Sequence, residues 1–150
     1  PRQSGQYGMV VPRFVRQALL GRPITVYGDG SQTRCFCHVG DVVAALVRLL
    51  DLPAAHGEVF NVGTDREVRI GELAAMVRDR TGSPSEIVHV PYQEAYGAGF
   101  EDMERRLPDL AKLRRAIGYE PRFSLEQILD DVIRHVRGEL DADPEVASAE

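Results

Sequence analysis

The sequence predicts an α/β fold, and three observations carry that prediction. Segments with apolar residues at helical spacing alternate with short runs of β-branched and aromatic residues, the two periodicities that separate helix from strand. Glycine and proline punctuate the junctions, as at Gly21-Arg22-Pro23, Gly28-Asp29-Gly30 and Gly118. The chain has 150 residues, 43% of them hydrophobic and 27% charged, enough for one domain with a real core.

Each element follows from local chemistry. Residues 1–7 are polar and read as an extended connector. Residues 8–20 carry apolar side chains at 10, 11, 14, 15, 18 and 19, one helical stripe. Pro12 fits there only in the first turn, where its missing N–H costs little. Gly21 and Pro23 stop the helix. Residues 24–27 (ITVY) and 33–38 read as strands. Gly28-Asp29-Gly30 supplies the positive φ that a tight reversal between them needs, in its plainest form a hairpin.

Residues 41–52 read as a helix that is apolar nearly all round and therefore expects burial on several sides, with Asp41 as its N-cap and Pro53 as its stop. Residues 57–62 (GEVFNV) form an apolar strand bounded by Gly63, and 67–69 a brief strand with Val68 inward. Residues 71–80 form an amphipathic helix with Leu73, Ala74, Met76 and Val77 inward, capped by Thr81-Gly82. A strand over 87–90 ends at Pro91. Residues 91–107 (PYQEAYGAGFEDMERRL) form a long loop whose aromatic residues argue for function. Pro108 opens a helix through Ala116. Ser124 and Gln127 form a capping box for the last helix, 125–137. The acidic stretch 138–150 reads as a frayed, flexible tail.

Composition excludes several function classes. A formal net charge of -5 argues against general nucleic-acid binding. No apolar run reaches membrane-span length, and no signal peptide is present. Cys35 and Cys37 are the only two cysteines. They read as buried, reduced packing residues, which suits the cytoplasm. His38 reads as a core histidine with one hydrogen-bond partner. His56 and His89 have no metal-ligand spacing, so no metal site is expected. Glu101 and Asp102 read as a solvated loop pair, or one closing over a substrate.

Several motifs occur in register. They are Met9-Val10-Val11-Pro12-Arg13-Phe14, Thr25-Val26-Tyr27-Gly28-Asp29-Gly30-Ser31-Gln32-Thr33-Arg34, Phe60-Asn61-Val62-Gly63, Arg105-Arg106-Leu107-Pro108-Asp109 and Ile117-Gly118-Tyr119-Glu120-Pro121. Over residues 1–137 the chain resembles the carboxy-terminal half of the extended short-chain dehydrogenase/reductase family. These are NAD-dependent nucleotide-sugar epimerases, dehydratases and decarboxylases. The resemblance implies a Rossmann-type enzyme of which this chain supplies the carboxy-terminal, nucleotide-sugar-binding part. It implies that residues 41–62 pack on a Rossmann sheet lying outside these residues. No Gly-x-x-Gly-x-x-Gly turn and no Tyr-x-x-x-Lys pair occurs here. NAD and the catalytic residues are therefore expected in an amino-terminal half, and the chain, opening at Pro1-Arg2, reads as a fragment.

The resemblance also implies site residues. Arg34 and Arg106 match the family's two diphosphate-binding arginines, with Arg105 as the fallback for Arg106; forked guanidiniums suit a diphosphate. An ordinary surface salt bridge is the alternative for Arg34. Thr25 and Tyr27 share one face of their strand, and by resemblance they hold uracil, Tyr27 on the ring and Thr25 through its backbone. Val10 and Val11 match the other wall of that pocket, with core packing as the alternative. Asn61 borders the sugar, and Asp109 either orients Arg106 or ends a helix. The implied reaction is 4-epimerisation of UDP-glucose or UDP-glucuronate through a 4-keto intermediate. UDP-glucuronate decarboxylation and NDP-sugar dehydration are alternatives, as is a non-catalytic nucleotide-binding or interaction module. The implied partners are a UDP-sugar and, for the full-length protein, a second copy in a homodimer, with no nucleic acid and no membrane.

Overall fold

In a computed structural model of the protein, residues 9–96 and 104–142 are described. They divide into two compact units, one drawn from residues 9–32, 69–96 and 129–142, the other from 33–68 and 104–128. In chain order the elements are α1 (Val10–Leu19), β1 (Ile24–Tyr27), β2 (Thr33–Cys35), α2 (Val39–Leu50), β3 (Glu67–Arg69), α3 (Ile70–Thr81), β4 (Ile87–Val90), α4 (Tyr92–Tyr96), α5 (Ala111–Ile117) and α6 (Leu125–Ala142). The α/β class holds.

The first unit is built on a parallel pair. β1 lies against β4 with Ile24 opposite Ile87 and Tyr27 opposite Val90. Parallel strands need a crossover, and α3 lies in it. α1 and α3 pack on one another and on β1 through Val11, Phe14, Val15, Ala18, Leu73, Ala74 and Val77, all buried with Ile24 and Val26. The expected stripes of both helices therefore face the core. Gly82 closes α3 in the left-handed conformation, φ 65°.

The second unit packs α2 and α5 around Ala45, Leu110, Leu113, Ile117 and Tyr119, with Leu49, Leu52, Phe60 and Val62 against them. Tyr119 Oη donates to the Gly63 carbonyl at 2.7 Å, and burial pushes its phenol well above the usual range. Ser124 and Gln127 make the expected capping box: Ser124 N donates to Gln127 Oε1 at 2.8 Å, and Gln127 N to Ser124 Oγ at 3.3 Å.

Six expectations need correction. No hairpin forms, because β1 pairs with β4 and β2 with β3 in separate sheets; the positive φ of Gly28 (73°) and Gly30 (78°) instead redirects the chain from one sheet to the other. Residues 57–62 form no ladder, and Val59 is 82% exposed, since a strand exists only with a partner to take its N–H and C=O groups. His38, not Asp41, caps α2: its Nδ1 accepts from Gly40 N at 3.0 Å, and its ring stacks on Phe123 at 3.9 Å. The loop after Pro91 starts with the helical turn α4, and residues 97–103, with Glu101 and Asp102, lie outside the described residues. α5 begins at Ala111, three residues after Pro108, because Asp109 first forms a turn in which its carboxylate accepts from Ala111 N at 2.8 Å. α6 runs to Ala142, past the expected end at 137; in that last stretch Leu140 is half-buried and Glu139 pairs with Arg16 and His135.

Asp41 has a different role from the one its position suggested. Its side chain is 2% exposed. It accepts from Arg122 N (3.1 Å), Arg122 Nε (3.1 Å) and Phe123 N (3.2 Å), so one carboxylate fixes the turn into α6. Cys35 and Cys37 are reduced and half-buried, and burial raises both thiols above their ordinary value.

Candidate functional site

The second unit carries the arginines. β2 has β3 on one edge. On its other edge Thr33 N donates to the Glu104 carbonyl at 2.9 Å, and Thr33 forms a parallel bridge with Arg105. Side chains alternate across a strand. Thr33 and Arg105 therefore share one face, and Arg34, the next residue of β2, points to the opposite face.

The other face of the same pairing carries Arg105. Its Nε and Nη2 reach Glu67 at 2.9 and 2.6 Å, and Thr33 Oγ1 donates to the same carboxylate at 2.7 Å. These bonds hold the Glu67 carboxyl down to about 2, Arg105 contributing most and Thr33 next. Arg105, the fallback for the diphosphate, is thus paired with Glu67 of β3. Arg34 Nη1 donates to the Thr33 carbonyl at 2.7 Å, which folds the guanidinium back along its own strand. Asn61 is exposed, and its Nδ2 donates to the Asp109 carbonyl at 3.2 Å, tying the FNVG segment to the start of α5. Asp109 has a helix-end role, through Ala111 N.

The first unit carries the residues expected around a base. In β1, Ile24 N and Gly28 N bond to the β4 side at Glu86 O and Val90 O. Thr25 and Tyr27 turn their backbone groups to the outer edge, and side chains cover that edge. Thr25 N donates to Gln17 Oε1 (3.0 Å), Gln17 Nε2 donates to Thr25 Oγ1 (2.9 Å), Arg13 Nη2 donates to the Thr25 carbonyl (3.1 Å) and Gln32 Nε2 to the Tyr27 carbonyl (2.8 Å). Arg13 also lies over the Tyr27 ring at 4.1 Å. A ligand that accepts from the Thr25 N–H has to displace Gln17, while the Thr25 carbonyl keeps a second lone pair beside Arg13. Val11 is buried in the core and Val10 half-buried. Two glycines shape the turn after β1. A Cβ on Gly28 would lie 2.5 Å from the Tyr92 ring, and one on Gly30 3.1 Å from the Gly71 backbone.

Sequence reasoning missed Arg13, Gln17 and Glu67. The signal for the first two was available: polar residues at i and i+4 interrupt the apolar stripe of α1 and face β1. Glu67 gave no such signal, since its partner is 38 residues away. The described residues do not fit an NAD site. Among them no glycine-rich turn leads from a strand into a helix N-terminus, the arrangement that takes a dinucleotide pyrophosphate. The glycine turn at 28–30 runs into β2, and Gly30 is packed on Gly71. Among the described residues there is also no metal-binding cluster, and no helix is long and apolar enough to cross a membrane.

Comparison with known proteins places the chain. Residues 1–63 match the family described as the NAD dependent epimerase/dehydratase family. The chain is 42% identical over 135 residues to a UDP-N-acetyl-alpha-D-glucosaminuronate decarboxylase of Bacillus cytotoxicus, covering 90% of this chain and 42% of that protein. An epimerase structure from Methanothermobacter thermautotrophicus superposes with TM-score 0.80 at 29% identity, covering 91% of this chain and 39% of that one. A UDP-glucose 4-epimerase from Thermotoga maritima, solved with UDP-glucose, superposes with TM-score 0.77 at 31% identity, covering 93% and 43%. The chain thus spans about a third to two-fifths of the length of the curated relatives it matches. On the fold, the ordered motifs and these likenesses, the chain belongs to the NAD-dependent epimerase/dehydratase family of extended short-chain dehydrogenases/reductases.

Proposed function

We propose that this chain is the UDP-sugar-binding part of an NAD-dependent nucleotide-sugar enzyme. Arg34 and Arg106 take the diphosphate, Tyr27 and Thr25 the uracil with Val10 beside them, and Asn61 lies towards the sugar. The observation that supports this most is the parallel bridge between Thr33 and Arg105, which brings the Arg105-Arg106 segment alongside the strand that carries Arg34. The contribution of these residues is positioning: binding energy from a remote diphosphate holds the sugar for reaction. No redox step is assigned to any residue of this chain.

For the whole protein we propose 4-epimerisation of a UDP-sugar in the cytosol, in a homodimer. A second reading, decarboxylation of a UDP-uronate, is favoured by the 42% identity to a decarboxylase. In both, residues 41–62 pack on a Rossmann sheet. Support for that comes from α2, whose exposed Val39, Val43, Leu46, Val47 and Leu50 lie along one stripe at helical spacing. Calorimetry and thermal shift with UDP and with NAD test the binding role. UDP binds and raises Tm, NAD does neither, and Arg34→Ala removes the UDP response. An unchanged response in Arg34→Ala overturns the diphosphate assignment. No response to UDP in the parent chain overturns the nucleotide-sugar reading.

A further inference from the structure

We infer that Glu67 is a positioning residue for the anion site, acting through Arg105 and Thr33 to hold the 104–106 segment against β2 so that Arg106 stands beside Arg34. The inference rests on the proposed diphosphate role of those two arginines. The geometry is that of a clamp across three strands. Glu67 belongs to β3, Thr33 to the middle strand and Arg105 to the outer one. Both oxygens of Glu67 are used: Oε1 accepts from Thr33 Oγ1 and Arg105 Nε, and Oε2 from Arg105 Nη2. The 104–106 segment meets β2 at an isolated parallel bridge, where Thr33 N donates to Glu104 O. Glu104, Arg105, Arg106 and Leu107 are all exposed, so no apolar burial anchors them.

Isolated exposed ion pairs count for little, but a forked pair in a network with a third donor fixes geometry. The fork also separates two adjacent arginines by role. With Glu67 in place, Arg105 is drawn to one face and Arg106 is left on the other, where Arg34 lies. A further consequence distinguishes positioning from simple electrostatics. Glu67 is an anion near an anion site, so its charge alone weakens UDP binding, and removing that charge alone strengthens it. The clamp requires the opposite sign.

The test is calorimetric titration of the chain with UDP and with uridine, in the parent, Glu67→Gln, Glu67→Ala, Arg105→Ala and the double variant Glu67→Ala/Arg105→Ala. The expected result is about a tenfold loss of UDP affinity in each single variant, the scale of one charge-assisted bond to a phosphate oxygen. Uridine affinity stays unchanged, and the double variant is no weaker than either single one. Hydrogen exchange at the Thr33 amide, which reports the outer pairing without any ligand, rises in the Glu67 variants. UDP binding that is unchanged or tighter in Glu67→Gln overturns the positioning role while leaving the nucleotide reading intact. Equal loss of UDP and uridine overturns it as well, since the effect is then on the fold. A parent chain that binds no UDP overturns the nucleotide reading and the inference with it.

Discussion

Removing the Asp41 carboxylate tests the interior of the second unit more sharply than any apolar truncation. Asp41→Ala deletes the acceptor of two backbone N–H groups, Arg122 N and Phe123 N, and of the Arg122 guanidinium. An orphaned buried N–H costs about 1–1.5 kcal/mol where some water can reach it. The two together come to about 2–3 kcal/mol. The guanidinium adds little, because the Arg122 side chain is 64% exposed and rehydrates on release. The expected total is about 3 kcal/mol, or a fall of about 10 °C in Tm for a chain of this size. Asp41→Asn keeps one side-chain oxygen as acceptor and loses about half as much. Thermal melts by circular dichroism, with urea titration at 25 °C as the cross-check, measure both variants. A fall of less than about 3 °C in Asp41→Ala refutes the reasoning, as does an Asn variant less stable than the Ala variant.

Three further outcomes follow from the same structure. The Glu67 carboxyl is lowered from 4.5 to about 2 in the folded chain, so its contribution is complete above pH 4.5 and is lost as pH falls towards 2. Acid titration of Glu67→Gln shows a shallower loss of stability in that window than the parent; superposable curves contradict the pairing. Gly28→Ala places a Cβ against Tyr92 at a positive φ, and its urea midpoint drops by an amount worth about 1–3 kcal/mol; an unchanged midpoint means that the turn relaxes freely. The apolar stripe of α2 drives self-association of this chain at high concentration, and Val43→Glu with Val47→Lys reduces it in sedimentation velocity without lowering Tm. A parent chain that stays monomeric at high concentration contradicts the proposed docking of α2.

Most of the fold was legible because its helices are amphipathic and their ends carry strong signals. The stripes of α1 and α3, the Gly82 cap and the Ser124–Gln127 box all depend on residues within a turn or two of one another. The misreadings share a cause of the opposite kind. A hairpin at 28–30 and a strand at 57–62 were reasonable from local propensity. Strand identity, however, depends on which distant segment offers a partner, and β1 finds its partner more than sixty residues on. The helix cap at His38 was missed because an imidazole Nδ1 takes the place that Ser, Thr, Asn or Asp usually fills. α2 looked buried on composition, yet Leu50 is 76% exposed here. An all-round apolar sequence states what a helix needs to contact, and nothing about which chain supplies it.

The arginines of the candidate site show where sequence reasoning stops and register takes over. Arg105 and Arg106 are chemically identical neighbours, and a shift of one residue exchanges them. In a strand that shift is a change of face, since successive side chains point in opposite directions. The bridge from Thr33 to Arg105 puts Arg105 on the face of Thr33, and Glu67 pairs with it there. An acidic residue on the side of Arg105 draws one guanidinium away, and the other takes the face of Arg34. Under the proposed diphosphate role, the arginine pair is selected by a carboxylate that need not touch the ligand. The same logic applies to β1, where Gln17 and Arg13 occupy the outer-edge groups of Thr25. Side chains that satisfy a strand edge in the free chain occupy the donors and acceptors that a planar base with an imide edge can use. Affinity at such an edge is a difference between two sets of hydrogen bonds, and the ligand gains only what its own bonds exceed those it displaces.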